Sequence, residues 1–428
     1  MAKRCQVGIA LALAAACAQL ACAQAGAQPG APARAVPVRD LGPVVARTTS
    51  PIGFFFGLQQ FSGGRVLIND AKARTLTFYD STLSSGTIIA DTIGGPRINY
   101  GRAITPLLPF AADSALFIDF ASSSMLLIGP AGTIVRVLAP PKSQDLGLLR
   151  QSVVGADPEG RLLYRGNLPR RPRVLGAPPQ PPIDSAPIVR ADFESRTVDT
   201  VALIKIPDQL GFERVERADG KLAARMLASP FVWVDDWALY SDGSIAILRG
   251  RDYHIDWIAS DGTRSSSPRM PFDWRHITDQ DKRRLLDSLR SDWETKSQLA
   301  RSLTLQEAAS LGITADKAFT VTLPDGSKVV PLDIGLVPLA EIPDYVPPIR
   351  PGAMKADPDG HLWILPYTSA QSLHGGLVYD IVNRAGELTE RVELPAGRSI
   401  AGFGRGGNVY LLSGDRTSGF TIERARFR

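Results

Sequence analysis

Arginines, aromatic residues and amides between the strand-like runs are the residues best suited to hold a ligand. Arg, Tyr and Trp combine apolar area with directional hydrogen-bond donors, which favours them on binding surfaces. The candidate ligand-binding residues are Arg97, Asn99, Tyr100, Arg102, Arg251, Trp274, Arg350, Tyr367, His374 and Arg398. Asp70 and Asp119 also follow strand-like runs, and we expect them to cap their turns through Asx hydrogen bonds.

No catalytic or metal motif accompanies these residues. Of the histidines His254, His276, His361 and His374, no two have metal-ligand spacing, and the two within strand-like runs, His254 and His361, are expected to be packed. A nucleophile elbow and a glycine-rich phosphate loop are also missing from the sequence. The sequence therefore predicts no metal and no cofactor, and it leaves the catalytic residues, if there are any, unknown.

The N-terminus has the features of a secretory signal. Lys3 and Arg4 precede an apolar stretch over 7–20, which ends in small residues. We expect residues 1–23 to be a signal peptide and 24–34 a flexible leader, and hence a secreted or periplasmic protein. Cys22 offers a lipid-anchored alternative, which Gln19 fits poorly. All three cysteines lie before residue 24, so the mature chain has no thiol.

Charge gives little indication of a nucleic-acid partner. The formal net charge is +5, and the basic clusters at 170–173 and 282–284 lie near prolines or acids. Such short clusters are typical of solvated surface, so no nucleic-acid ligand is expected. No apolar run after the leader is long enough to form a transmembrane helix.

A repeat steps through the rest of the chain and predicts the architecture. A turn residue followed by a short hydrophobic strand recurs six times, at Gly64, Asp113, Gly160, Gly243, Gly360 and Gly407. The shorter intervals are about 47 residues, the length of a four-stranded propeller blade. The sequence therefore predicts an all-β, six-bladed β-propeller over residues 35–428, and we expect it to be a monomer.

Two segments depart from the regular blade pattern. An insertion at about 268–350, between blades four and five, is predicted to contain helices over 279–299 and 304–311 and a hairpin over 321–330. The sixth blade lacks one strand, and residues 35–47 contain an unused strand-like run. We therefore expect this N-terminal segment to supply the outer strand of the last blade and close the ring.

The long loops should all lie on one face of the propeller. In a four-stranded blade, the loop between strands two and three lies on the same face as the link to the next blade. The long segments 166–186, 205–235, 268–350 and 366–375 are all of these two kinds. Insertions gather where a fold carries its function, so this insertion-rich face is the predicted binding face.

The first blade resembles a known repeat family. Residues 66–80 contain a hydrophobic strand, Asp70, a polar turn, Arg74 and an alternating strand ending in Phe78 and Asp80. This pattern is similar to that of NHL-type six-bladed propellers; it is partial at Leu412–Asp415 and decays in blades two to five. The resemblance implies the propeller fold and a tendency to bind proteins, peptides, glycans or nucleic acid, without fixing an activity.

Two functions follow as hypotheses. The first is an exported binding or scaffold propeller that holds a protein, peptide or envelope polysaccharide on the insertion-rich face, with no catalysis. The alternative is a channel-centred hydrolase or lyase acting on a lactone, ester or glycan, possibly with Ca²⁺. For Arg350 and Arg398, which precede innermost strands, a place at the channel mouth and pairing with a neighbouring blade's carboxylate are both open.

Overall fold

The computed structural model describes most of the chain after the predicted leader. The described residues are 36–92, 98–100, 106–111, 113–120, 122–145, 148–149, 153–168, 184–206, 212–216, 222–310, 321–322, 328–329, 335–370, 375–415 and 417–427. Two compact units divide the chain, Met1–Pro37 and Val38–Arg428, and only the second is described further. The predicted signal peptide and leader lie outside the described residues. Within them, no helix has the length and apolarity to cross a membrane.

Six antiparallel sheets form the blades of a six-bladed propeller, as the repeat predicts. Each blade runs from an innermost strand outward. The strands of blade one are Phe55–Gln60, Val66–Asp70, Thr75–Tyr79 and Gly86–Asp91, with the short Ile98–Asn99 added in parallel outside them. The strands of blade two are Leu107–Phe110, Ser114–Asp119, Ser124–Ile128 and Ile134–Leu138. The strands of blade three are Val153–Ala156, Leu162–Arg165, Ser185–Ala191 and Val198–Lys205.

The second half of the ring has the same construction. The strands of blade four are Asp236–Leu239, Ile245–Arg249, His254–Ile258 and Arg264–Ser266. The strands of blade five are Met354–Ala356, Leu362–Ile364, Val378–Val382 and Leu388–Glu393. The strands of blade six that come from the C-terminal part are Arg398–Gly404, Asn408–Asp415 and Gly419–Arg426. Apolar residues of neighbouring blades pack face to face, so the core is divided among the interfaces between blades.

The repeated turn residue has a backbone reason. At all six positions the φ angle is positive: 82° at Gly64, 80° at Gly160, 83° at Gly243, 95° at Gly360 and 69° at Gly407. The weaker copy, Asp113, adopts a φ of 56°. Glycine enters this left-handed region without steric cost, and Asp tolerates it better than most residues do. The turn between the first and second strands therefore leaves a sequence signal in every blade.

The N-terminal segment closes the ring across two blades. Ala46–Arg47 pairs antiparallel with Gly419–Arg426 and forms the fourth strand of blade six, as predicted for residues 35–47. Val38–Asp40, in contrast, pairs in parallel with Leu388–Glu393 and extends blade five. Leu41 lies between the two strands and is buried. The segment thus joins blades five and six instead of serving blade six alone.

The insertion between blades four and five differs from the sequence prediction in one respect. It contains a single α-helix, α1, over Asp279–Ser310 where two helices are predicted. The residues from 300 to 303 include no Gly or Pro, so nothing interrupts the helix there. Val321–Thr322 and Lys328–Val329 pair as a short hairpin. The backbones at Ile277 and Asp344 are hydrogen-bonded at 2.9 Å, so the insertion leaves and rejoins the ring at adjacent points.

A small sheet that the sequence analysis missed lies in the link between blades three and four. Phe212–Glu216 pairs with Leu222–Ala228, whose end pairs in parallel with Gly335–Leu336 of the insertion. A short 3₁₀ turn at Leu339–Glu341 follows, and a short helix, α2, covers Tyr367–Ala370 in blade five. Through this sheet, the long segment 205–235 is hydrogen-bonded to the long segment 268–350.

Candidate functional site

The innermost strands surround a central cavity of about 800 Å³. Every blade contributes small or imino residues to its wall, and the side chains there occupy little space. These residues are Gly57, Pro109, Gly155, Ala238, Ala356, Ala401 and Gly402. A cavity of this size is in the range of small-molecule sites. The channel therefore has room for a small-molecule substrate.

Most carboxylates of the cavity wall are engaged by side-chain donors. Asp157 pairs with Arg161 at 2.7 Å, and Asp235 pairs with Arg249 at 2.6 Å. The buried Asp357 accepts hydrogen bonds from the His361 ring at 2.9 Å and from the Trp363 indole at 3.0 Å. Asp113 accepts the N–H of Ser62 at 2.9 Å. These acids hold turns and strands together and leave little capacity for a ligand.

Asp236 is a carboxylate of a different kind. It begins the innermost strand of blade four, is 9% exposed, and accepts the backbone N–H of Met354 in blade five at 2.8 Å. Its other hydrogen bonds also come from backbone N–H groups, those of Gly352 and Trp237. Burial raises its pKa to about 6, against the opposing effect of these hydrogen bonds and of the charge on Lys355. Asp236 therefore changes its protonation state close to neutral pH.

Lys355 follows Met354 on the innermost strand of blade five and lines the same cavity. Within the described part of the chain, its ammonium group makes no hydrogen bond and no ion pair. Burial lowers its pKa, and the nearby charge of Asp236 opposes that effect. The other lysine of the wall, Lys205, is paired with Asp184 at 3.2 Å. An unpaired amine in a cavity, beside a carboxylate that titrates near neutrality, is a candidate site for acid–base or nucleophilic chemistry.

A second group of side chains lies on the insertion-rich face. The Arg350 guanidinium stands 4.0 Å from the centre of the Tyr367 ring, so two of the predicted residues meet. Trp274 is 38% exposed and packs against Trp233, with ring centres 6.1 Å apart. The exposed Tyr345 packs edge-on against His276 at 5.2 Å. These contacts are three separate pairs along the segments 205–235, 268–350 and 366–375, and we call Trp274, Tyr345, Arg350 and Tyr367 together the aromatic patch.

The remaining predicted residues are not part of either group. Tyr100 is buried against Phe117, with ring centres 4.8 Å apart, because its apolar ring fills the interface between blades one and two. Arg398 is paired with Glu423 of its own blade at 3.1 Å, rather than with a carboxylate of a neighbouring blade. Arg251 is exposed. Arg97, Arg102 and His374 lie outside the described residues, and of Asn99 only the backbone is described.

Two structural expectations from the sequence are confirmed by hydrogen bonds. Asp70 caps its turn by accepting the N–H groups of Lys72 and Ala73, both at 3.0 Å. The strand histidines are packed: His361 contacts Phe427 edge-on, and the Nε2 atom of His254 lies 3.3 Å from Asp256. Among the described residues, no group of three or more His, Cys, Asp or Glu side chains is arranged to hold a metal ion.

Sequence reasoning missed that Lys355 and Asp236 lie near each other on the cavity wall. The strands that carry them were predicted, but Met354 and Asp236, which are joined by a hydrogen bond, are 118 residues apart in the chain. The only available signal was an acid at the start of one innermost strand and a lysine within the next. These two residues can be expected to lie close together only once blades four and five are known to be neighbours.

Comparison with known proteins adds fold-level similarity. No family model matches the chain, and no curated protein matches it. Virginiamycin B lyase from Staphylococcus aureus is 11% identical with a TM-score of 0.34, over 89% of this chain and 98% of that one. A gluconolactonase from Xanthomonas campestris is 9% identical with a TM-score of 0.35, over 90% and 99%. A calcium-binding protein, regucalcin, from Agrobacterium tumefaciens is 11% identical with a TM-score of 0.32, over 92% and 97%. Similarity at this level is too low to carry an argument about function, and the propeller assignment rests on the strand pairing.

Proposed function

We propose that the chain is a channel-centred hydrolase or lyase that acts on a small molecule held in the central cavity. The observation that carries this proposal is the unpaired amine of Lys355 in the wall of a cavity of about 800 Å³. Leaving an amine buried without a partner costs free energy, and such groups persist mainly where they are used. The carboxylates of the wall are committed to structural hydrogen bonds, so Lys355 is the candidate reactive group. Asp236 also accepts backbone hydrogen bonds, but its pKa of about 6 lets it exchange a proton near neutral pH.

Lys355 and Asp236 suit proton transfer at a carbonyl substrate. A lysine with a lowered pKa has a larger neutral fraction at neutral pH and can accept a proton from water or from a carbon next to a carbonyl. Asp236 titrates near pH 6 and can hold a proton in the same cavity. Taking a proton from water would let that water open a lactone or ester. Taking a proton from a carbon next to a carbonyl would begin an elimination. Both belong to the hydrolase or lyase class.

The test is turnover of a panel of lactones, aryl esters and glycosides by the wild-type chain, Lys355→Met and Lys205→Met. We expect Lys355→Met to lose activity about 100-fold or more, the size of effect usual for a general base. Lys205→Met should stay within about twofold, since Lys205 is engaged by Asp184. Equal activity of the wild type and Lys355→Met, or no activity on any substrate, would reject the proposal. A parallel melting titration with Ca²⁺, Mn²⁺ and Zn²⁺ tests the metal-dependent form, because a bound ion raises the melting temperature.

A binding function is the second candidate, and the aromatic patch favours it. Trp274 and Tyr345 are 38% and 44% exposed, which is unusual for aromatic residues of this size. Flat rings beside a guanidinium match sugar rings and peptide side chains alike. On this hypothesis a protein, peptide or envelope polysaccharide binds the insertion-rich face of a monomeric propeller. Nucleic acid is not proposed as a partner.

The patch is tested separately from the channel. The double variant Trp274→Ala and Tyr345→Ala should abolish retention on immobilised cell-envelope polysaccharide or peptide, while Lys355→Met should leave it intact. Val135→Ala is a matched control, because Val135 is an exposed apolar residue on the outer strand of blade two. Retention by the double variant equal to that of the wild type would remove the binding hypothesis.

Export remains part of the proposal. We infer a mature chain that begins after residue 23 in the periplasm or outside the cell, with lipidation at Cys22 as the alternative. The NHL-type relationship is likewise proposed, on the pattern in residues 66–80 and on the turn-capping Asp70 within it. Mass spectrometry of the protein isolated from membrane and soluble fractions distinguishes a free N-terminus near residue 24 from a diacylglyceryl-modified cysteine.

A further inference from the structure

Lys355 differs from the other lysine of the cavity wall in its surroundings, and the difference affects its reactivity. The Lys205 ammonium is 3.2 Å from the Asp184 carboxylate and is held in an ion pair with it. Lys355 has no such partner within the described residues, and its backbone neighbour Met354 is fixed by the hydrogen bond to Asp236. The strand around Lys355 is therefore held in place while its amine is free to react.

We propose that Lys355 is a Schiff-base residue, whose amine condenses with the carbonyl carbon of a small aldehyde or ketone held in the channel. This inference rests on the proposed function and favours its lyase half. The nitrogen lone pair attacks the carbonyl carbon, and a C–N bond forms. The carbonyl oxygen takes up protons and leaves as water, so that one C=N bond replaces one C=O bond.

The imine supplies the chemistry of a lyase without any further reagent. Once protonated, the C=N group accepts the electron pair of a C–C or C–H bond at the adjacent carbon, and that bond breaks. The product of this step is an enamine, whose carbon takes a proton to give an imine again. Water then hydrolyses that imine, releases the carbonyl product and restores the amine. The buried Asp236 can give and take the protons of these steps, since its pKa is raised to about 6. Burial lowers the pKa of Lys355, which increases the fraction of neutral, nucleophilic amine.

Two features of the cavity define the substrate class. The wall combines glycines and alanines with larger residues such as Phe110, Trp237 and Tyr240, and its volume of about 800 Å³ suits a compact molecule. Lys355 supplies an amine, which forms a covalent bond with aldehydes and ketones but not with alcohols or simple sugars locked as glycosides. We therefore expect small carbonyl compounds, such as 2-oxo acids and short hydroxyaldehydes, to bind and aryl glycosides to fail.

The experiment is reductive trapping of the full mature chain with pyruvate or glyceraldehyde and cyanoborohydride, followed by peptide mass spectrometry. We expect the reduced adduct on Lys355 at several-fold higher yield than on Lys205, because the Lys205 ammonium is held in an ion pair with Asp184 and Lys355 has no such partner among the described residues. Lys355→Arg and Lys355→Met should lose this adduct, and a melting curve confirms that they fold. Lys205→Met should keep it.

Each outcome decides the inference. An adduct concentrated on Lys355 supports it, whereas equal labelling of Lys355 and Lys205, or no label on Lys355, overturns it. If Lys355 is unlabelled but Lys355→Met still abolishes turnover of a lactone or ester, the Schiff base is wrong and the proposed function survives with Lys355 as a general base. If Lys355 is labelled but no substrate is turned over, the amine is reactive and the proposed enzyme activity is wrong.

Discussion

At the scale of single residues, Lys355 lowers the stability of the fold, because within the described part of the chain its desolvated amine lacks the partner that its charged neighbours on the channel wall have. Its amine is partly buried and has no hydrogen-bond partner among the described residues, while Asp157, Asp235 and Asp357 are each paired. Active sites commonly contain such destabilising groups, because function rather than stability retains them. A stability measurement can therefore reveal a functional residue before any substrate is known.

We predict that Lys355→Met raises the free energy of unfolding by about 1 kcal/mol at pH 7, because it removes a desolvated amine and keeps a side chain of similar length. Urea denaturation followed by tryptophan fluorescence measures this change. Lys205→Met is the matched control and should be neutral or slightly destabilising, since it removes the ion pair with Asp184. A loss of stability in Lys355→Met would show that the amine contributes to folding.

Asp236 predicts a distinctive dependence of stability on pH. Its pKa is raised from 3.8 to about 6 by burial, so between about pH 4 and pH 6 the folded chain holds a proton that the unfolded chain has released. The free energy of unfolding therefore falls as the pH rises through this window, by about 3 kcal/mol in total. Asp236→Asn keeps an oxygen that can accept the Met354 N–H but does not titrate, so it should lack this fall.

The measurement is the difference between the two proteins in urea titrations at pH 4, 5, 6 and 7. Asp242 and Asp256, whose pKa values are lowered by hydrogen bonds and by nearby arginines despite partial burial, give the opposite slope. They do so in both proteins and cancel in the difference. Parallel stability curves for the wild type and Asp236→Asn would contradict the raised pKa.

The residue scale is also where the sequence was least informative. Arginines and aromatic residues in loops could be identified as candidates, and Arg350 with Tyr367 does form a contact. Burial could not be identified: Tyr100 fills the core, and Arg398 is paired with Glu423. The state of Lys355 depends on what surrounds it in three dimensions. The residue type alone contains no information about whether an amine is paired.

At the scale of elements, most of the fold was predictable because each blade repeats one turn with a positive φ angle. The anchors at Gly64, Gly160, Gly243, Gly360 and Gly407 all have positive φ, which restricts the residue type and so marks the turn in the sequence. Elements that place no such restriction on the residue type were predicted less well from the sequence. The strand pair Phe212–Glu216 and Leu222–Ala228 was missed, and α1 was split in two at a point that lacks any helix breaker.

The N-terminal segment is the element on which closure of the ring depends. Gly42 donates its N–H to the carbonyl oxygen of Arg426 at 3.2 Å, and an added Cβ there would lie 2.5 Å from that oxygen. Leu41 enters the core between blades five and six, where it joins Trp363 and Val409. The segment therefore stabilises the ring through both hydrogen bonds and a buried apolar anchor.

We predict that Leu41→Ala lowers the free energy of unfolding by about 2–4 kcal/mol, since it removes a buried side chain from the junction of two blades. Val38→Ala, in the same segment but 56% exposed, should cost less than about 0.5 kcal/mol. Urea denaturation of both variants and protease sensitivity of the N-terminus check the prediction. Equal effects of the two substitutions would mean that the segment lies on the ring without anchoring it.

At the scale of the whole molecule, the insertion between blades four and five joins the ring at a narrow base and also pairs, through Gly335–Leu336, with the link between blades three and four. Hydrogen bonds link Ile277 to Asp344 at 2.9 Å and Val346 to Arg275 at 3.0 Å, so the chain enters and leaves the insertion through a short two-stranded neck. The start of α1 packs near this neck, where the buried Lys282 pairs with Asp344 at 2.6 Å. The cavity and Lys355 lie on the ring side of the neck.

This arrangement predicts that the ring can lose the insertion and keep its chemistry. Replacing residues 278–343 by a short Gly-Ser turn should leave one cooperative unfolding transition, with a melting temperature lowered by about 5 °C or less. The blades keep their strands, and the described part of the excised segment contributes mainly Ile342, with Leu285 and Leu286 beside it, to a satellite cluster. Reductive labelling of Lys355 in the shortened chain should match that of the full chain. A split or abolished transition would show that the insertion is part of the folding unit, and loss of labelling alone would place it over the channel as part of the site.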